Sequence, residues 1–182
     1  MNANSQSNSV EQLPSTDSQT LSAQVARLAG AINQSHYSNG DRAALKRWAP
    51  GQLIPLAYYR LWLHHLRTEP PPEDQTESWM AIIWGLALGG EGGHTPKHSV
   101  GQALAETRFS EARLERLLSA PDDVIRVDLF QAAVRFLVAK GQGCNWGQWA
   151  RYLLTQDVDK RERMHRDIAR DYYRQLRLTE PR

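Results

Sequence analysis

The stretch TESWMAIIWGLAL, residues 76–88, decides the fold. Trp79, Ile82, Ile83, Leu86 and Ala87 recur at three- and four-residue steps, and together they wrap most of the surface of one helix. A helix that is apolar nearly all round belongs in a core, so the remaining segments have to cover it. On its N-terminal side lies TEPPPED, residues 68–74, where three consecutive prolines stop the preceding helix and leave a stiff acidic connection. On its C-terminal side lies GGEGGHTPKHSVG, residues 89–101, whose four clustered glycines and proline favour a flexible connection. We place a boundary between two lobes here, residues 21–90 and residues 91–182.

Outward from this centre the periods are helical. GDRAALKRWAPG, residues 40–51, predicts a short helix fenced by glycine and by Pro-Gly. Pro55 suits the first turn of the next helix, in which Leu56, Tyr59, Leu63 and Leu66 recur at helical spacing. Past the glycine-rich run, Ser110 is an N-cap candidate with Glu111 at the positive helix end, and Leu114, Leu117 and Leu118 form the buried face. A helix beginning near Asp122 or Asp123 runs to Lys140-Gly141, a basic last turn followed by a C′ glycine. Two more are predicted, over about residues 146–155 and about residues 159–178, the latter with Met164, Ile168, Tyr172 and Leu176 four apart. No stretch alternates apolar and polar residues as a strand does. The expected fold is all-α, a two-lobed helical bundle.

The first twenty residues, rich in Ser, Asn and Gln, bury too little apolar surface to offset ordering entropy, and we expect a disordered N-terminal tail over residues 1–20. No basic segment precedes an apolar signal run, and no apolar run approaches the roughly 18 residues that span a bilayer, so a cytoplasmic chain without membrane contact is expected. The one cysteine, Cys144, excludes an internal disulfide and a multi-thiolate zinc site.

Catalytic and metal chemistry find little support. His94 and His98 have H-x3-H spacing, but Pro96 and the flanking glycines interrupt a helix there and no third ligand is evident. The glycines around Cys144 lack the strand and the Gly-Lys-Ser/Thr of a phosphate loop, and the thiol itself reads as a small buried hydrophobe. No acid, base and nucleophile assemble. We expect no catalytic residue, metal or cofactor.

The cations carry more information. Only four of 22 are lysine, and arginine is the residue whose planar fork matches phosphate oxygens. Residues 68–91 hold Glu69, Glu73, Asp74, Glu77 and Glu91 and no cation, so the small net charge of +2 conceals segregated signs. In the short helix, Arg42 and Lys46 share a face beside Arg47, while Leu45 and Trp48 share another. Trp48 either stacks on a base or packs in the core. Arg108, Arg113 and Arg116 form a central group. In the last helix Arg163, Arg166, Arg170, Arg174 and Arg177 make a row that Glu162, Asp167 and Asp171 are spaced to neutralise.

Four motifs then agree in order. GDRAALKRWAPGQLIPLAYYRLW (40–62), SVGQALAETRFSEARLERLLSA (99–120), NWGQWARYLL (145–154) and DKRERMHRDIARDYY (159–173) together resemble the CasB family, the small subunit of the type I-E CRISPR surveillance complex Cascade. The tail and the acidic PPPED linker depart from the family pattern. The resemblance implies a non-catalytic all-helical subunit, present as a pair of copies, that contacts the backbone and large subunits, CRISPR RNA and target DNA, and holds the displaced strand of the R-loop. Its nucleic-acid contacts would fall on Lys46 and Arg47, on Arg108 and Arg113, on Arg151, and on Lys160, Arg161 and Arg163; Arg42 and Arg116, beside Lys46 and Arg113 on the same helices, complete ten cations expected to contact nucleic acid. The competing expectation is a helical protein–protein scaffold that never touches nucleic acid.

Overall fold

A computed structural model describes residues 16–179. Among these residues the chain forms nine α-helices and no sheet. They are α1 (Thr16–Asn33), α2 (Asn39–Arg47), α3 (Leu56–Arg60), α4 (Thr76–Gly89), α5 (Val100–Glu106), α6 (Glu111–Leu118), α7 (Asp123–Ala139), α8 (Trp146–Leu154) and α9 (Val158–Thr179). The all-α expectation holds. Of the expected tail, residues 1–15 lie outside the described residues, while the last five, residues 16–20, begin α1.

Helix α4 is the hub. Every residue from Trp79 to Ala87 is buried, and α1, α2, α7 and α8 all pack against it. Gly85 makes one of these contacts possible: the Trp146 ring of α8 lies where a side chain would be, with its Cη2 only 2.2 Å from an ideal Cβ. Around that contact Phe130 meets Trp84, Trp146 and Trp149 edge to face at centroid distances of 6.4, 6.0 and 5.2 Å. The buried side chains form one cluster that draws on both sides of residues 89–98. Nor does that glycine-rich loop hang free, because Thr95 donates to the Cys144 carbonyl at 2.9 Å, Cys144 to that of Gly93 at 3.1 Å, and Asn145 to that of His98 at 2.7 Å.

The helix after Pro55 departs from its expected face. Its last turn widens to a π-helical turn over Leu61–Leu66, which ends at Arg67 with φ of 54°. The core takes Ala57, Tyr58, Leu61, Trp62 and Leu66, whereas Leu56, Tyr59 and Leu63 point outward. The sequence carries two apolar stripes here, and the one holding Tyr58 and Trp62 buries more area.

Helix α9 docks chiefly on α5, the most extensive helix pair in the fold. The reason is Gly101, because a Cβ there would come within 2.2 Å of the Ile168 carbonyl oxygen and 2.8 Å of the Tyr172 nitrogen. Both near atoms are backbone and cannot swing aside. Tyr172 then donates its hydroxyl hydrogen to the Phe109 carbonyl, and Tyr173 donates to Glu111 Oε2 at 3.0 Å, tying α9 to the start of α6. We expect Gly101→Ala to destabilise the chain by about 1–3 kcal/mol through overpacking. Gly30, inside α1 with open space around it, should respond oppositely, with Gly30→Ala stabilising by about 0.5–1 kcal/mol. Urea denaturation of both variants checks the pair of signs.

Candidate nucleic-acid interface

The ten cations singled out in the sequence occupy three regions. In the first, Ser38 caps α2 by accepting from the Asp41 amide at 3.3 Å, and Asp41 in the first turn is held by Arg60 at 2.5 Å. That pair and its hydrogen bonds hold the Asp41 carboxyl below the usual range. Leu45 and Trp48 are buried, so Trp48 belongs to the core and is closed to a base. Lys46 and Arg47 are exposed in the last helical turn. Arg42, however, turns inward: its guanidinium donates to the Ile32 carbonyl at 2.8 and 3.2 Å, to that of Gln34 at 3.2 Å and to Asn39 Oδ1 at 2.9 Å. It closes the C-terminal end of α1 and lies over the Tyr37 ring.

The second region lies at the junction of α5, α6 and α7. Arg108 takes the position after the α5 cap with φ of 59°, its amide bonded to Ala105 and the next amide to Leu104, an arrangement that usually selects glycine. Arg113 reaches over the rings of Phe109 and Phe136 at 6.0 and 5.8 Å, while Lys140 sits 6.0 Å from the same Phe136 ring. Lys140 therefore joins Arg113 on one aromatic surface. Its place at the end of α7 was legible, but its neighbour on another helix was not. Arg116 is exposed one turn further along α6.

The third region is a groove of about 450 Å³ between α8 and α9. Arg151 of α8 and Lys160 and Arg163 of α9 line it together with Asp167 and the apolar side chains of Leu21, Leu154, Met164 and Ile168. Burial pushes Arg151 below its ordinary guanidinium value, and Asp167 opposes the shift; its Nε is buried with no hydrogen-bond partner. Arg161, by contrast, is spent on the fold, donating to the Thr155 carbonyl at 3.0 and 3.3 Å to finish α8. Along α9 the expected neutralisation reaches Arg166, paired with Glu162 at 3.5 Å, and Arg170, paired with Asp167 at 2.9 Å. Among the described residues no carboxylate forms an ion pair with Lys46, Arg47, Arg108, Arg113, Arg116, Arg151, Lys160 or Arg163.

The family model of the CRISPR-associated protein Cse2 matches residues 41–173, the span from the start of α2 to near the end of α9 that holds all three regions. The chain belongs to the Cse2 family. No curated protein and no solved structure gives a match. Membership makes it a subunit of a CRISPR Cascade complex, in agreement with the resemblance carried by the four motifs.

The other chemistry-bearing residues of this Cse2-family chain are used internally. His94 Nδ1 accepts from the Trp146 amide at 3.3 Å, while His98 pairs with Glu106 at 3.1 Å, so the two rings serve different partners. Among the described residues no group of three or more His, Cys, Asp or Glu side chains is placed to hold a metal ion. Cys144 is buried, and desolvation pushes its thiol up to about 12, which keeps it protonated and weakly nucleophilic near neutral pH.

Two outcomes follow from these placements. Arg42→Ala should cost about 1.5–3 kcal/mol, the scale of hydrogen bonds to a charged group, whereas Lys46→Ala stays within about 0.5 kcal/mol; chemical denaturation separates them. His165 is half-buried beside Tyr152, and burial together with Arg126 and Arg161 depresses its pKa. Its neutral form therefore contributes stability that is complete above the unfolded value of about 6.5 and is lost as pH falls through the depressed folded value. A pH series of unfolding curves should show His165→Gln with a shallower decline below pH 6.5 than the parent chain.

Proposed function

We propose that this subunit binds the DNA strand displaced when guide RNA pairs with its target, and so stabilises the R-loop during antiviral defence. The observation that carries the reading is the α8–α9 groove, where Arg151, Lys160 and Arg163 from two helices face one concave surface with an apolar floor. Phosphates recur along every sequence and bases do not, so a groove that reads charge suits a strand whose sequence changes with each target. The apolar floor suits an unpaired strand, whose bases present faces that a duplex hides. The energetic demand is small. An RNA–DNA heteroduplex is nearly as stable as the DNA duplex it replaces, so modest contacts to the freed strand tip the exchange.

Lys46, Arg47, Arg108, Arg113 and Arg116 extend the same proposal to the other two regions, each without a paired carboxylate. Arg42 and Arg161 enter it only through the helix ends they close. The role is non-catalytic and cytoplasmic, and it sets the chain as a pair of copies beside the backbone and large subunits, the CRISPR RNA and the target DNA. Among the described residues no helix is long and apolar enough to cross a membrane.

The test uses the assembled complex with Lys160→Ala and Arg163→Ala together, both exposed positions whose truncation leaves the core intact. The logarithmic salt slope for the displaced strand should fall by roughly 1.4, about 0.7 for each phosphate that no cation then neutralises. Asp167→Asn, which removes the carboxylate from the groove, should tighten binding at low salt. Unchanged slopes in a complex that still assembles would instead support the scaffold reading, in which these cations meet acidic protein surfaces.

A further inference from the structure

The outward stripe of α3, continued by Leu53 before the helix and by Leu63 in the π-helical turn after it, serves neither the core nor the cationic regions. Leu53 is 94% exposed, Leu56 70%, Leu63 43% and Tyr59 41%, so four of the large exposed apolar side chains fall within eleven residues. A scattered exposed leucine is ordinary, but a contiguous apolar patch on a soluble chain marks a contact surface. Tyr59 also lines a groove of about 510 Å³ with Ile54, Pro70 and Pro71, and Glu73 and Glu77 stand on its wall. The groove is braced, because Glu77 accepts from the Gly51 amide at 3.1 Å and Gly51 itself has φ of 75°.

The charge beside this patch is predominantly negative, with Arg67, exposed after the π-helical turn, as the one cation there without an ion pair. Glu69, Glu73 and Asp74 are exposed, and none forms an ion pair among the described residues. The only arginine of α3, Arg60, is already held by Asp41. An acidic rim repels phosphate, so this side of the molecule suits a different class of ligand from the α8–α9 groove. Apolar anchors inside a charged rim are the anatomy of a protein interface.

We infer that the exposed face of α3, with the proline-rich acidic segment beside it, docks a segment of a different subunit of the complex that carries apolar anchors flanked by lysine or arginine. Leucines 53, 56 and 63 supply the contact area. Glu69, Glu73 and Asp74 supply orientation and salt sensitivity.

The inference rests on membership in the complex, which co-purification with the other subunits checks at the outset. A photoreactive side chain placed at position 56 of the assembled complex should crosslink to a different subunit, and mass mapping should find the adduct in a segment of net positive charge. Leu53→Ser with Leu56→Ser, both already solvent-facing, should lower retention of this subunit at least about tenfold with its helical spectrum unchanged. Glu69→Gln, Glu73→Gln and Asp74→Gln together should flatten the salt dependence of retention. An adduct on nucleic acid, on an acidic segment or on a second copy of this chain overturns the proposal, as does unchanged retention of the double serine variant. Failure to co-purify at all overturns the complex-subunit reading along with it, whereas a flattened salt slope in the Lys160 and Arg163 variant has no bearing on this face.

Discussion

The backbone of α9 passes so close to α5 that a methyl group at Gly101 would sit 2.2 Å from the Ile168 carbonyl oxygen. Much else in the C-terminal half depends on that approach. With α9 held there, Ile168 and Tyr172 are buried, the Tyr172 hydroxyl reaches the Phe109 carbonyl, and the opposite side of α9 is left to carry charge. The groove is a by-product of the same geometry. Helix α8 is fixed independently through Trp146 on Gly85 and Trp149 on Phe130, so the space between α8 and α9 is set by two glycines rather than by the cations that line it. Binding cations held at a preset separation lose less freedom on meeting a ligand than cations on a mobile tail.

Arginine serves two purposes in this chain, and the difference lies in what stands opposite each guanidinium. Arg27 donates to the Leu66 carbonyl at 3.0 Å where the π-helical turn ends, Arg42 closes α1, and Arg161 closes α8. Each satisfies carbonyls that a terminating helix leaves without a partner. A fold of many short helices has many such ends, which accounts for part of the arginine content without any ligand. The exposed set closes no helix end, although Arg163 donates to the Asp159 carbonyl within its own helix at 3.3 Å. Arg108 is the sharpest instance, since it occupies a left-handed position where glycine would sit with less strain, and its side chain makes no hydrogen bond or ion pair among the described residues.

The helices that were easiest to read are those whose ends carry their own chemistry. Asp122 caps α7 by accepting from the Ile125 amide at 2.8 Å, Gly141 follows its last turn with φ of 66°, and α4 and α8 begin and end within a residue or so of their expected limits. What stayed hidden were choices between equivalent local patterns. Leu56, Tyr59 and Leu63 satisfy a helical period as well as Tyr58, Leu61 and Trp62 do, and only the partners supplied by α1, by α2 and by Trp79 of α4 decide which stripe turns inward. Arg42 and Lys46 share a helix face by spacing, yet the end of α1 lies within reach of one and not the other. The groove was the least legible feature, because Arg151 and Arg163 belong to different helices and their convergence is a fact of packing. For the same reason Lys140 reads in the sequence as a basic last turn alone, and its place beside Arg113 on the Phe136 ring is a fact of packing.

The segregation of charge gives these separate observations one physical sense. In the proposed role the subunit holds a polyanion while packed against other proteins and faces opposing demands: uniform positive charge would draw nucleic acid to every face, and neutrality would draw it to none. Here the carboxylates of residues 68–77 border the outward stripe of α3 with only Arg67 among them, and groups of cations without an ion pair lie on α2, at the α5–α7 junction and along the α8–α9 groove. The net charge of +2 is then what remains after a division of labour rather than a measure of weak electrostatics. Because fields from exposed charges fade over about 8 Å at physiological salt, each face acts on what touches it and little on what binds elsewhere. The two proposed contacts are therefore compatible: protein on the acidic, leucine-studded face and a strand in the cationic groove, with neither neutralising the other.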